Sequence, residues 1–540
     1  MPSIILAMTN FRKAIIAAIV KSLLRGKSLI QALLSFWVNP GIAKGGKGKS
    51  TKTLQEFLKD AEAALLGPVS GNGLQELSAG LKKQFVERLQ IDEQCMLPSY
   101  SHQLPLGSEC GQYLALDVGG STLRVAVVEL RGRRVDADKQ SEIISMHNYR
   151  IGKDVRNLVG MDFFNWMGQK IAETLAESGQ HENTEAKPLP ISCAWSFPIE
   201  QTSMGSGKLL PMGKAFLADR GLLGEDLAGI IKQACRQSGL HVELRALLND
   251  SSACLLSRAY SYTSTRFGLI LGTGVNLAAY MPVQSVGIKK FGVRPKGWYE
   301  EANHVIVNTE LGMFGHNILP MTRWDHALTK QHPRPDFQPL EHFVSGMYLG
   351  ELVRLALLEA IETTGLLGGV VPHSLRSGYS LGTDTISMIE SDTSSNLEEA
   401  IKIFSERHPS SYTPNSSDLI AIKALSSFVS IRSSALVATC VYTLWDLRLD
   451  FEQQYVDTLL ESSPERKRAE ADMKLKSTTV AFNGSVIENY PGYLANCQRY
   501  LNELIESKSL PEPRSIGLVA AKESSLMGAA VALACLERGD

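Results

Sequence analysis

Residues 113–130 read Tyr-Leu-Ala-Leu-Asp-Val-Gly-Gly-Ser-Thr-Leu-Arg-Val-Ala-Val-Val-Glu-Leu. Leu114, Leu116 and Val118 alternate with smaller or polar residues, the chain turns at Gly119, Gly120, Ser121 and Thr122, and a second β-rich run starts at Leu123. This spacing predicts a β-hairpin whose turn is the size of a phosphate. A backbone without Cβ atoms approaches an anion closely and points several N–H groups at it, and Asp117 just before the turn suits a Mg²⁺ ion held through water. The turn is not a P-loop, because the Lys-Ser/Thr signature is missing and strand rather than helix follows the glycines. By itself the stretch reads equally well as a plain Gly-Gly hairpin.

The pattern returns at 267–281, where Phe-Gly-Leu-Ile-Leu leads to Gly272-Thr273-Gly274 and then to Val-Asn-Leu-Ala-Ala-Tyr-Met. Two such hairpins suggest a duplicated unit. Two phosphate-binding turns facing one another would clamp a nucleotide in a cleft between two lobes, an arrangement that resembles the α/β architecture of the actin, sugar kinase and heat-shock ATPase superfold.

At 540 residues the chain is too long for one simple core. Hydrophobic content of 44 %, charged content of 21 % and a net charge of −1 describe an ordinary globular composition and give no sign of nucleic-acid binding. The eight cysteines are scattered without a Cys-x-x-Cys pair, which argues against zinc and a disulfide framework and for reduced thiols inside a cell. Residues 1–52 stand apart as a basic extension and linker: Arg12, Lys13, Lys21, Arg25, Lys27, Lys44, Lys47 and Lys49 precede the first acid, Glu56. Apolar residues cover most of a helix between Phe11 and Val38, but charges interrupt every run before the roughly 18 residues a spanning helix needs. The expectation is an interfacial helix or a mitochondrial-type targeting segment, with a helix packed on the catalytic body as the alternative.

Helical spacing predicts two helices over 53–95 and one over 160–178, while Pro188 to Ile199 reads as strand. Ala246-Leu247-Leu248 is a short buried strand, and Asn249-Asp250-Ser251-Ser252 ends it and caps a helix expected to begin near Ala253. A cap is then the plain reading of Asp250. Residues 374–428, rich in Ser and Thr, read as a surface excursion, and Arg466 to Lys476 as an exposed helix or loop.

Taken together, the segments around Asp117, Trp195-Ser196-Phe197-Pro198, Gly213-Lys214-Ala215-Phe216, Asn249-Asp250, Gly272-Thr273-Gly274-Val275-Asn276, Asn308-Thr309-Glu310, Ser345-Gly346-Met347-Tyr348-Leu349-Gly350, Asn483-Gly484-Ser485 and Gly528-Ala529-Ala530 resemble the eukaryotic hexokinase family, in its order, over roughly residues 55–538. The resemblance implies a two-lobed actin-like fold, with a small-lobe region over 53–252 and a large-lobe region over 253–540. It implies transfer of the γ-phosphate of ATP to the 6-hydroxyl of a hexose. Asp250 would be the general base, with Lys214 beside it; Ser196, Lys214, Asn249, Asn276, Glu310 and Glu341 would hold sugar hydroxyls. Asp117 would serve Mg²⁺. Gly119, Gly120, Ser121 and Arg124 with Gly272, Thr273 and Gly274 would cradle phosphates, and Asn483, Gly484, Ser485 and Ser525 would line the adenosine pocket.

The chain departs from the family pattern at Gly213, where Thr is usual, at Leu311 for Trp, at Leu526 for Gly, and in a basic insertion holding Lys289, Lys290, Arg294 and Lys296. These departures are similar to those of fungal N-acetylglucosamine kinases, so the implied sugar is N-acetylglucosamine, with glucose, mannose or fructose as the alternative. A catalytically weak hexokinase-like sugar sensor is the alternative of another class. The implied location is the cytosol, attached through residues 1–40 to a membrane surface such as the mitochondrial outer face.

Overall fold

The structure, a computed structural model, describes residues 52–136, 139–178, 183–212, 216–510 and 512–537. The basic extension, Gly213 and Lys214 lie outside the described residues. The chain forms two compact units from interleaved segments: one from the segment ending at Leu77 with His316–Thr439 and Asn489–Tyr500, the other from Ser78–Gly315, Cys440–Glu488 and the segment from Leu501 onward.

The second unit contains two five-stranded arrays with one topology. Strands β1 (Cys110–Val118), β2 (Thr122–Arg131), β3 (Ser141–Arg150), β4 (Leu189–Trp195) and β5 (Val242–Leu248) lie in the order β3-β2-β1-β4-β5. Strands β6 (Thr265–Leu271), β7 (Val275–Pro282), β8 (His304–Asn308), β9 (Ser477–Asn483) and β10 (Ser515–Ala520) repeat it as β8-β7-β6-β9-β10, with the short strand Leu97–Pro98 added at the β8 edge. In each array the first three strands are antiparallel and the last two join in parallel. The duplication expected from the two glycine turns is therefore present in the sheets.

Alternation along β1 sets what covers each face. Leu114, Leu116 and Val118 pack with Phe163, Phe164 and Met167 of helix α1 (Met161–Ser178) and Ile230 and Ile231 of helix α2 (Leu227–Gln237). Ala115 on the opposite face joins Ala126, Ala194 and Ala246. These small side chains leave room for helix α4 (Ser524–Leu536), which lies on the first array. Helix α3 (Asp250–Ala259), which follows β5, packs instead on β6, β7 and β9 of the second array. The two helices also press on each other, since a Cβ at Gly528 would clash with the Ala253 carbonyl, and α3 lies as close on β6, where a Cβ at Gly268 would clash with Ser251 O and Leu255 N. The boundary between 252 and 253 given by motif order falls inside α3 and inside this unit.

Two local expectations change. Helix α3 starts at Asp250 rather than Ala253, and its cap is Asn249, whose Oδ1 accepts from Ser251 N at 2.9 Å. Residues 374–428 are packed helix for much of their length: Thr383–Ser391, Glu398–Arg407 and the start of a 43-residue helix, Ser416–Thr458, bury Ile386, Ile389, Phe404, Leu419 and Leu425. That long helix has the length and composition of a membrane span, but 94 % of its most apolar window is buried within the protein, as a core helix requires.

The basic insertion is anchored by its own charges. Lys290 Nζ donates to the carbonyls of Arg88 and Cys95, both at 2.7 Å, and burial pushes its amine down to about 8. The Arg294 guanidinium donates to Pro98 and Ser99 carbonyls and lies over Tyr100 at 3.8 Å and Trp298 at 4.8 Å. Only Lys289 and Lys296 of the four cations are exposed.

Candidate active site

The site residues of the second unit fall into three groups, each fixed by strand ends. The first is the β1–β2 turn. Gly119 N donates to Thr122 O at 3.0 Å, Arg156 donates to the Gly120 carbonyl at 3.0 Å, and Ile151 N to Ser121 O at 2.8 Å. Neither Gly119 nor Gly272 has positive φ, and a Cβ on either would meet its nearest neighbour only at 3.5 Å and 3.4 Å. Folding therefore does not require glycine at these two positions. Their bare backbone leaves the close approach that an anion needs.

Asp117 stands at the end of β1, in register with Arg124 on β2. Arg124 Nε donates to Asp117 Oδ2 at 2.7 Å, Nη2 donates to the same oxygen, and Nη1 reaches Oε2 of Glu523. Burial pushes the Asp117 carboxyl up, Arg124 pulls the other way, and Glu523 adds to the rise. Two carboxylates sharing one guanidinium leave a net negative charge made of hard oxygen donors, a set that fits Mg²⁺.

The second group is a chain of amides and one carboxylate. Asn276 Nδ2 donates to Asn249 Oδ1 at 3.3 Å and to Asn308 Oδ1 at 2.9 Å, and Asn308 Nδ2 donates to Glu310 Oε1 at 2.7 Å. Asn276 Oδ1 in turn accepts from its own neighbour, Leu277 N, at 2.8 Å. Glu310 adopts φ 50° and ψ 54°, left-handed backbone that a non-glycine residue holds at a cost of about 1–3 kcal/mol. Such strain at a carboxylate already tied to Asn308 marks a position held for its side chain. The sequence places Asn249, Asn276 and Glu310 among the sugar ligands, and the structure brings them together. It also inserts Asn308, which the sequence shows only as the first letter of Asn308-Thr309-Glu310. Asp250 follows Asn249 in the first turn of α3, where the helix end favours negative charge, and its Oδ1 accepts from Ser251 N at 2.7 Å.

The third group joins the second glycine turn to Asn483, Gly484 and Ser485. Gly484 has φ 129°, and a Cβ there would clash with the Leu271 carbonyl and lie 2.8 Å from Gly272 N. This glycine is a steric requirement: it lets the end of β9 touch the end of β6. Asn483 Nδ2 donates to Glu488 Oε1 at 2.9 Å and to Ala521 O at 3.1 Å, which ties the turn to the loop before α4, the helix whose first turn holds Ser525.

Ser196 follows β4 and donates its N–H to Val118 O at 3.2 Å, beside the Asp117 strand end. Glu341 belongs to the first unit, on the short helix Pro339–Val344. Lys214 has no described position. Two of the departures point inward: Leu311 and Leu526 have no exposed surface.

Two hexokinase family models match the chain, one over residues 63–260 and the other over 266–535. The chain belongs to the hexokinase family. A hexokinase of Kluyveromyces lactis is 29 % identical over 445 residues, covering 82 % of this chain and 84 % of its own. Hexokinase-2 of Solanum tuberosum is 30 % identical over 466 residues, covering 84 % and 85 %. Among solved structures, a hexokinase from Schistosoma mansoni complexed with glucose superposes with a TM-score of 0.70 at 24 % identity, over 90 % of this chain and all of that one. This hexokinase accordingly has the two-lobed, actin-like ATPase fold and is an ATP-dependent hexose kinase.

Proposed function

We propose that this hexokinase holds its sugar through Ser196, Asn249, Asn276, Glu310 and Glu341, with Lys214 beside them, and that Asp250 takes the proton of the 6-hydroxyl as it attacks the γ-phosphate. The observation that carries this reading is the amide chain Asn249–Asn276–Asn308–Glu310, which orients polar groups of three separate strand ends before any sugar arrives. Mg²⁺ at Asp117 would supply charge neutralisation on the phosphates. The backbones at 119–121 and 272–274 position them, with Arg124 beside the first turn, and Asn483, Gly484, Ser485 and Ser525 line the adenosine side. The retained set of ligands favours an enzyme over a sensor without activity. Release of ADP with none of glucose, mannose, fructose, glucosamine or N-acetylglucosamine would reverse that preference.

For the sugar, motif likeness supports N-acetylglucosamine. The glucose held by the Schistosoma mansoni relative supports glucose as the second reading. A panel of kcat/KM values separates them. We expect N-acetylglucosamine to lead, and a tenfold preference for glucose, worth about 1.4 kcal/mol, would overturn that order.

We further propose that residues 1–40 draw the kinase to an anionic membrane surface, the mitochondrial outer face first among them. Eight positive charges without an opposing acid in the first fifty residues support this, each worth about 1 kcal/mol near such a surface. Deleting residues 2–40 from a fluorescent fusion is expected to release the protein into the cytosol. The same diffuse distribution for both forms would remove the membrane role.

A further inference from the structure

The charge network at Asp117 extends beyond the first glycine turn. Arg124 spans two carboxylates that stand 406 residues apart in the chain, one at the end of β1 and one immediately before α4. Alone, the doubly bonded Asp117–Arg124 pair is close to neutral, and a neutralised carboxylate has little pull on a divalent cation. Glu523 changes that balance, because it takes Nη1 of the same guanidinium and leaves the cluster with one net negative charge. The residue has no other structural duty visible in its helix: α4 has no side-chain cap bond at Glu523. Its backbone sits at φ 47° and ψ 36°, a conformation unfavourable for a side chain with a Cβ, which persists where surrounding contacts over-determine it.

We propose that Glu523 is a positioning residue for the magnesium nucleotide: it holds Arg124, and through it Asp117, and its charge gives the first phosphate turn its affinity for the divalent cation. This rests on the nucleotide reading above and deepens it by one residue. Glu523 is not among the proposed sugar ligands, so its effect is expected on the nucleotide side.

The test compares full-length wild type with Glu523→Gln, which keeps an oxygen acceptor for Arg124 and removes only the charge, and with Glu523→Asp, which restores it. Glu523 is 40 % exposed, so both variants are expected to melt with the wild type. In calorimetric titrations with ADP, Glu523→Gln is expected to weaken binding about tenfold when Mg²⁺ is present, the loss expected for one nearby charge, and not to weaken binding of Mg²⁺-free ADP, an anion that the same charge repels. In turnover, KM for the magnesium nucleotide should rise by a similar factor with kcat within about threefold, and Glu523→Asp should recover most of the loss. Equal ADP affinity for wild type and Glu523→Gln in the presence of Mg²⁺, or an equal loss with and without it, overturns the assignment. If the wild type turned over no hexose while the Mg²⁺-dependent difference persisted, the kinase roles would fall and the placement of Glu523 would stand.

Discussion

Asp250→Asn is expected to lower kcat by at least about 10²-fold while sugar affinity stays within about threefold. The two side chains match in size, and asparagine keeps the oxygen that accepts from Ser251 N, so the first turn of α3 keeps its geometry. The helix cap is supplied by Asn249, not Asp250, so the substitution removes no cap. What disappears is the basic oxygen proposed above to receive the hydroxyl proton. Pre-steady-state ADP release and equilibrium sugar binding measured on the same preparation separate the two quantities. Turnover at the wild-type rate would take Asp250 out of its assigned role, and parallel loss of binding would make it a ligand instead.

The largest stability effect is expected at Arg432, in the first unit. Its guanidinium is fully buried, donates to both oxygens of Asp325 at 2.7 and 2.8 Å, and lies 4.7 Å from the Phe343 ring centre. Burial acts to raise the Asp325 carboxyl, but Arg432 and the Thr322 hydrogen bonds outweigh it and hold the carboxyl below its usual value. Arg432→Met fills similar volume and strands that carboxylate, a change worth about 3–5 kcal/mol at neutral pH. In the wild type, a depressed carboxyl contributes stability that is present above its unfolded pKa and lost as pH falls through the folded value. In the variant, burial is no longer opposed, so the carboxyl shifts the other way and its penalty fades as the group protonates. The deficit against wild type should therefore begin to shrink above about pH 4, as the variant's raised carboxyl protonates, and go on shrinking as the pH falls. Urea denaturation at pH 7 and at pH 4 measures both, and Arg432→Met with Asp325→Asn should recover most of the loss. A deficit that does not change with pH would show that packing, not charge, is at stake.

What the sequence made legible was local. The two glycine turns, the strands beside them and the helices at 54–66, 73–91 and 161–178 carry their signals within ten or twenty residues. The long helix was hidden because its polar letters mislead: Ser426, Ser434 and Thr439 turn their hydroxyls back onto Ile422, Ile431 and Ala435 carbonyls and are buried. Asn308 escaped notice because its partners, Asn276 and Glu310, meet it only across paired strand ends. Glu523 escaped because nothing in Lys522-Glu523-Ser524 points to Arg124. The cations of the insertion were visible, but their use as internal ties depended on carbonyls from residues 88–99 and on Tyr100.

Helices α3 and α4 each rest on the array to which they do not belong, and this sets a timetable for synthesis. When Leu248 leaves the ribosome the first array has all five of its strands, yet the face bearing Ala115, Ala126, Ala194 and Ala246 still lacks the helix that ends at Leu536. At roughly 5–20 residues per second that face waits tens of seconds for its cover. A nascent chain of this kind carries an uncovered apolar surface through about half of its own translation, the kind of exposure that chaperones exist to shield.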